Sequence, residues 1–318
     1  MTEHSQEHRA ELSIPEDDLI LPFQAEQADV LGRLVKLGPT VDTILSRHDY
    51  PEVVSRLLGE AVALTALLGA SLKSDGKFIL QASTNGPVDL LVADYQVPGG
   101  LRGYARFSAE QVANLAPGGR LLGEGHLAMT IDRGVETERY QGVVPLEGES
   151  LTEAADTYFR QSEQLPTFIR LAVARHYRPG KGAHPWTWRA GGLLVQKLTR
   201  EGGRSGSRAA AFDEEDWTRA KALAETVEDH ELLDPMLPPD RLLYRLFHEE
   251  KVRAYRAIPL ETYCSCSRER VEELLKRFSP EDLADMVVDG EVWVTCEFCN
   301  SRYRFDPATF ADAWGSTH

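Results

Sequence analysis

The first 263 residues contain no cysteine, and all four cysteines of the 318-residue chain fall between Cys264 and Cys299. That excludes a disulfide framework for the whole fold, which would scatter its cysteines and would not persist in a reducing cytosol. It points instead to one local site. A long apolar run is also missing. The longest, Ala61 to Leu72, contains Thr65 and Ser71 and falls short of the ~20 residues that span a bilayer. Positive charge is scarce: 35 Lys and Arg stand against 50 Asp and Glu, a net charge of −15. Such a balance argues against non-specific attraction to nucleic acid or membranes. No Walker-type or dinucleotide glycine loop occurs; Gly99-Gly100 and Gly202-Gly203 read as turns, and ATP hydrolysis is not indicated. The opening MTEHSQEHRAEL lacks the basic flank and apolar run of a secretory signal. These absences predict a soluble, cytoplasmic protein with no nucleic-acid or membrane partner.

What is present divides the chain in three. Hydrophobic residues make up 42% of it, enough for a substantial core, and the length suits two or three domains. Residues 1–16 read as a frayed, polar end. Val30–Leu37 reads as a strand and Thr40–Arg47 as a short helix. Pro51 suits a helix start, and Glu52 to Leu72 is apolar on most faces, as a buried helix would be. Strand patterns follow at Lys77–Ser83 and Val88–Tyr95 around the turn Asn85-Gly86-Pro87. Others lie at Leu101–Phe107, His126–Ile131, Tyr140–Leu146, Phe168–Tyr177 and Gly192–Leu198. Ser150 with Glu153 predicts a capping box for a helix through Ser162. Strands in groups with helices between them imply an α+β domain, over 1–200, with a largely antiparallel sheet and packed helices.

Composition shifts at Glu201. Residues 201–211 read as a flexible linker, and residues 201–251 carry thirteen Asp/Glu against seven Lys/Arg. One helix is expected to start at Phe212, with Trp217, Ala220, Ala224 and Val227 on a narrow stripe. A second, from Asp240, carries Leu242, Leu243, Leu246 and Phe247. Such helices should bury little and need a neighbour to dock against, so 201–255 reads as a metastable helical linker. The remaining segment, 256–318, is too short for a large core and needs a staple.

The staple is the cysteine constellation. Cys264-Ser265-Cys266 is followed after 29 residues by Cys296-Glu297-Phe298-Cys299. Four thiolates suit one tetrahedral Zn²⁺. Asn300 stands where a knuckle turn needs a positive φ. Strand-like Val292–Thr295 and Tyr303–Phe305 flank that pair, with helices expected at Val271–Phe278 and Pro280–Val287. A purely structural clip is the plain reading. Three features favour a redox switch: each thiol has an oxidation partner close by, the cations Arg268, Arg270, Arg302 and Arg304 lie near in sequence, and a helical segment of low apolar content precedes the site. Oxidation of a thiolate to sulfenic acid and condensation with a second thiol removes two ligands. In a small metallodomain, losing the metal is losing the fold.

Cys264-Ser-Cys-Ser-Arg-Glu-Arg270 with Cys296-x-x-Cys299 closely resembles the zinc-switch signature of the heat-shock protein 33 family. The likeness extends to His48-Asp-Tyr-Pro51, Asn85-Gly86-Pro87, Arg139–Val144, Ser162–Thr167, Ala190–Leu193 and Leu246–Glu250. The resemblance implies an ATP-independent holdase chaperone, not an enzyme, with an α/β N-terminal domain, helical linker and C-terminal zinc domain. It implies one zinc per chain on Cys264, Cys266, Cys296 and Cys299 in an inactive reduced form. On oxidation it implies disulfides Cys264–Cys266 and Cys296–Cys299, loss of zinc, linker unfolding, and a homodimer that binds unfolded or oxidatively damaged proteins.

Two other readings compete. A zinc-ribbon nucleic-acid module is disfavoured because 256–318 holds seven Lys/Arg against twelve Asp/Glu. A thiol–disulfide oxidoreductase using Cys296-Glu-Phe-Cys299 would place its nucleophile at a helix N-terminus, whereas strand is expected after the motif. His248 reads as solvent-facing, and the acidic runs at Asp17-Asp18 and Glu214–Asp216 as a solvated face or a helix start.

Overall fold

The computed structural model describes residues 17–72, 75–133, 139–148, 150–178, 185–198 and 207–310. The expectations for residues 1–16 and for the first half of the 201–211 linker lie outside them. In chain order the elements begin with β1 (Leu19–Ala25), β2 (Val30–Leu37), α1 (Pro39–Ser46), α2 (Glu52–Gly69), β3 (Lys77–Thr84), β4 (Val88–Gln96), β5 (Gly100–Phe107) and α3 (Ala109–Ala113). They continue with β6 (Glu124–Asp132), β7 (Tyr140–Glu147), α4 (Leu151–Tyr158), β8 (Thr167–Tyr177) and β9 (Trp186–Lys197).

Then come α5 (Ser207–Glu225), α6 (Asp229–Leu233), α7 (Pro239–Phe247), β10 (Val252–Ala254), β11 (Ile258–Pro259) and β12 (Glu261–Thr262). The last are α8 (Arg268–Leu275), α9 (Pro280–Asp285), β13 (Val287–Val288), β14 (Glu291–Thr295) and β15 (Arg302–Phe305). The expected α+β class holds, with one elaboration. There are two six-stranded sheets where a single largely antiparallel sheet was expected, β10-β1-β2-β9-β8 (with β11 also on β1) and β12-β5-β4-β3-β6-β7. Only the β12–β5 pair in them is parallel.

The physical reason is α2. Val54, Leu58, Ala61, Val62, Leu64, Leu67 and their neighbours are buried on every face of it. A helix apolar all round must be covered on both sides. Here it lies between the sheets, packing with Val35 and Leu37 of one and Leu80, Leu91 and Ala93 of the other.

Sequence reasoning missed β1, because Pro22 interrupts its pattern. Proline lacks the ladder donor. The fold tolerates it because β1 pairs with β10 at Phe23–Ala25 and with β11 at Leu19–Ile20, leaving Pro22 opposite the break between them. Only its carbonyl is used there, accepting from the Tyr255 N–H at 2.8 Å. The Ser150–Glu153 capping box is present, but α4 ends at Tyr158 and passes into a π-helical turn, Phe159–Glu163, rather than running as α-helix through Ser162.

The helices after residue 206 differ from expectation in two ways. The first begins at Ser207 rather than Phe212, and together they bury a second core. Ala220, Ala224, Leu232, Leu242, Leu243, Leu246 and Phe247 pack on Leu19, Leu21, Phe23, Leu34, Leu193 and Val195, the face of the first sheet turned away from α2. The rings of Phe23 and Phe247 lie 5.4 Å apart. The neighbour these helices need is therefore a whole sheet face. Strands β10 to β12 then tie the chain to both sheets. At Gly99 a Cβ would sit 2.0 Å from the Pro259 carbonyl oxygen, so this glycine is required by close backbone approach.

Candidate metal centre

The last unit has a small core, Val271, Leu275, Leu283, Val292, Phe305 and Phe310, contributed by α8, α9, the sheet β13-β14-β15 and the 3-10 turn Pro307–Phe310. Ser267 and Ser279 cap the two helices through their side chains. The turn between β14 and β15 is closed by the Asn300 N–H donating to the Cys296 carbonyl at 2.8 Å and the Cys296 N–H donating to that of Ser301 at 2.9 Å. Asn300 takes φ 58°, the left-handed conformation its position predicts.

The backbone thus brings two pairs of sulfurs together. Cys264 Sγ lies 3.2 Å from Cys266 Sγ and 3.7 Å from Cys296 Sγ, and Cys266 Sγ lies 3.2 Å from Cys299 Sγ. All four lie within 4.8 Å of one another, and none is in a disulfide. A tetrahedral ion with metal–sulfur bonds of about 2.3 Å places its ligands about 3.8 Å apart. The donor set and spacing fit such an ion, so these four cysteines could hold a metal.

Their protonation is uneven. Burial pushes the Cys264 thiol up to about 12 and raises that of Cys296. Burial also opposes ionisation of Cys299, but hydrogen bonding with the Ser301 hydroxyl and backbone and with Cys266 and Cys264 brings it down to about 6. The Tyr303 hydroxyl donates to Cys266 Sγ at 3.2 Å. Metal binding must therefore expel protons from at least Cys264 and Cys296. Apparent metal affinity should fall about a hundredfold or more for each unit that pH drops between 8 and 6. Competition titrations with a chelator of known pH dependence would read that slope; a flat profile would mean the thiols are not the ligands.

The nearby arginines serve other groups than expected. Arg268 donates to the Arg304 carbonyl and lies over the Phe305 ring, and Arg270 donates to the Ser265 carbonyl. Arg304 pairs with Glu291. The cation that does feel Cys264 is Arg102 of β5: burial lowers its proton affinity, but Asp94, Tyr263 and Cys264 together raise it.

Arg102 belongs to a docking seat that sequence reasoning missed. Phe298, inside the second cysteine pair, presents its ring to the Arg102 guanidinium at 3.8 Å and meets the edge of Tyr104 at 4.8 Å. Arg102 is anchored by nearly buried Asp94 at 2.5 Å and also lies over Tyr263, next to Cys264. Asn300 donates to the Arg47 carbonyl at 2.8 Å. His48 and Tyr50 stack at 4.9 Å beside the turn. Burial lowers the His48 proton affinity, while the backbone of Phe298 and Glu297 partly offsets this. Between His48, Tyr104, Arg106 and the turn lies a cleft of about 500 Å³ that reaches Cys296.

His248 is exposed as expected, with its Nδ1 3.1 Å from the Tyr244 carbonyl oxygen. Among the described residues, no helix is long and apolar enough to cross a membrane.

Comparison with known proteins gives the same picture throughout. A family model described as Hsp33 protein matches residues 18–306. The 33 kDa chaperonin of Caulobacter vibrioides is 47% identical over 298 residues, covering 92% of this chain and 95% of its own. That of Shewanella loihica is 40% identical over 290 residues, covering 91% and 93%. A crystal structure of the 33 kDa chaperonin (heat shock protein 33 homologue) from Thermotoga maritima superposes with a TM-score of 0.72 over 94% of this chain and 98% of that one. At 21% identity that likeness speaks for the fold alone. A family model spanning most of the sequence and relatives at 40% identity or more place this chain in the Hsp33 family.

Proposed function

We propose that this chain is a redox-regulated, ATP-independent holdase of the cytoplasm, switched by a single zinc ion on Cys264, Cys266, Cys296 and Cys299. The observation that carries the reading is the pairing of a four-sulfur cluster with a docking seat. The same turn that supplies Cys296 and Cys299 also inserts Phe298 between Arg102 and Tyr104. A change at the sulfurs therefore acts directly on the contact with the N-terminal sheets.

In this mechanism zinc, when bound, neutralises the thiolates and staples the C-terminal unit. The remaining steps belong to the chain. An oxidant such as hydrogen peroxide enters by the cleft at Cys296 and removes two electrons from a thiolate, giving sulfenic acid. A second thiolate displaces the sulfenic oxygen as water. In sum, two thiolates, two protons and one peroxide give one disulfide and two waters. Sulfur–sulfur distances do not choose the partners, since Cys266 is equally close to Cys264 and Cys299. Family likeness favours Cys264–Cys266 and Cys296–Cys299.

With its ligands gone, the unit over 256–318 loses its fold and the Phe298 contact. The strands over 252–262 that tie the chain to both sheets then loosen, the linker helices over 201–255 detach from the domain over 1–200, and the bared apolar sheet face holds unfolded clients. The active form is a homodimer.

Light scattering by a thermally unfolding client tests the proposal. Suppression by the peroxide-treated protein, none by the reduced zinc form, and loss of suppression after reductant and zinc are expected. Equal suppression by both forms would refute redox control.

A further inference from the structure

Two buried cations sit on the sheet face beneath the linker helices. Lys36 of β2 is fully buried and Arg189 of β9 is 1% exposed. Both reach the same short stretch of chain, the turn after α6. Lys36 Nζ donates to the carbonyls of Asp234 at 2.7 Å and Leu237 at 2.5 Å. Arg189 Nε donates to that of Leu233 at 2.6 Å, and its other two nitrogens bind Asp17.

Three main-chain carbonyls within five residues are thus held by side chains that belong to the sheet. Two of these carbonyls precede Pro235 and Pro238. Proline cannot continue a helix, so carbonyls at such a point look outward for donors.

The strand opposite is shaped for the approach. Lys36 pairs with Gly191 in the β2–β9 register, and a Cβ at 191 would lie 2.5 Å from the Leu232 carbonyl oxygen. Leu34, Leu193 and Val195 surround the place with apolar surface, and Leu232 is buried against them. Departure of the segment costs Lys36 two carbonyl acceptors and Arg189 one, and each bond to a charged donor in such a place is worth replacing. A carbonyl is an acceptor that every residue of every polypeptide offers.

We propose that Lys36, Gly191 and Arg189 form a backbone-reading subsite, filled in the reduced form by the protein's own segment 232–237 and offered to a leucine-flanked stretch of unfolded client once that segment leaves. The inference rests on the holdase reading and specifies how clients of unrelated sequence are held: by main-chain carbonyls at the two cations, with leucine-like side chains on either flank. The segment Leu-Leu-Asp-Pro-Met-Leu is then an internal stand-in for the client.

The test uses the full chain and a fluorescein-labelled peptide with the sequence of residues 229–239, DHELLDPMLPP, read by anisotropy. The oxidised, zinc-free protein is expected to bind it saturably, with unlabelled casein displacing it, and the reduced zinc form to bind at least tenfold more weakly. In the oxidised state Lys36→Met should weaken binding about tenfold, and Lys36→Arg should restore it to within about threefold.

A wild-type chain that suppresses aggregation when oxidised yet fails to bind the peptide overturns the subsite and leaves the holdase reading intact. Unchanged binding by Lys36→Met, in protein that still melts cooperatively when reduced, overturns it too. If oxidation gives neither zinc release nor suppression, the holdase reading itself has failed. Should Lys36→Met not fold, the wild-type peptide and casein measurements alone decide.

Discussion

Replacing Cys296 and Cys299 together by serine should take the bound metal from one ion per chain to none and unfold residues 264–310 without any oxidant. The core of this unit is six buried apolar side chains, too few to order a segment of this length unaided. A structural zinc site in a peptide of this kind carries roughly 10–16 kcal/mol of apparent binding free energy, and that energy is folding energy. Two thiolates alone leave half the tetrahedron empty, and serine hydroxyls do not replace them at neutral pH. Metal analysis after gel filtration and loss of dispersed amide signals from 264–310 would report the outcome. Retained stoichiometric zinc with a folded C-terminal unit would show that the site is not the staple.

The second large effect lies on the N-terminal side of the seat that receives the cysteine turn. Arg102→Ala should destabilise the N-terminal sheets by about 3–5 kcal/mol, the usual penalty for stripping one partner from a buried ion pair. Asp94 is only 2% exposed and its other oxygen already lacks a protein partner, so its charge would have nowhere to go. The same substitution removes the guanidinium plane beneath Phe298, so the cysteine turn should also become protease-sensitive while zinc stays bound. Arg102→Lys keeps the charge without the plane or the fork; it should recover much of the stability and little of the docking. Denaturant midpoints and limited proteolysis of the zinc-loaded variants separate the two effects. An unchanged midpoint for Arg102→Ala would contradict the buried-pair account.

Local patterns were legible and long-range placement was not. Alternation of apolar residues located β2, β3, β4 and β6 to within a residue or two, since a half-buried strand writes its period into the chain. Cysteine spacing and Asn300 foretold the knuckle because both requirements act over a few residues. Pro22 hid β1, whose break in pairing is visible only when β10 and β11 arrive some 230 residues later. The linker helices looked poor in apolar residues, yet Leu242, Leu243, Leu246 and Phe247 sufficed once a sheet face met them. The seat for Phe298 was hidden altogether. Arg102, Tyr104 and Arg47 share no pattern with residues that lie between 163 and 253 positions away along the chain. Of the arginines close in sequence to the thiols, Arg268, Arg270 and Arg304 are occupied with carbonyls, a ring and a carboxylate.

In the proposed switch the four-sulfur site keeps the linker helices on the sheet. Zinc release, followed with a chromophoric chelator, and hydrogen exchange across residues 207–262 can be measured on one sample during treatment with peroxide and mild heating. About one zinc per chain is expected to leave as amide protection in α5, α6 and α7 collapses, and reductant with zinc is expected to restore both. Zinc leaving while those helices stay protected would contradict the switch.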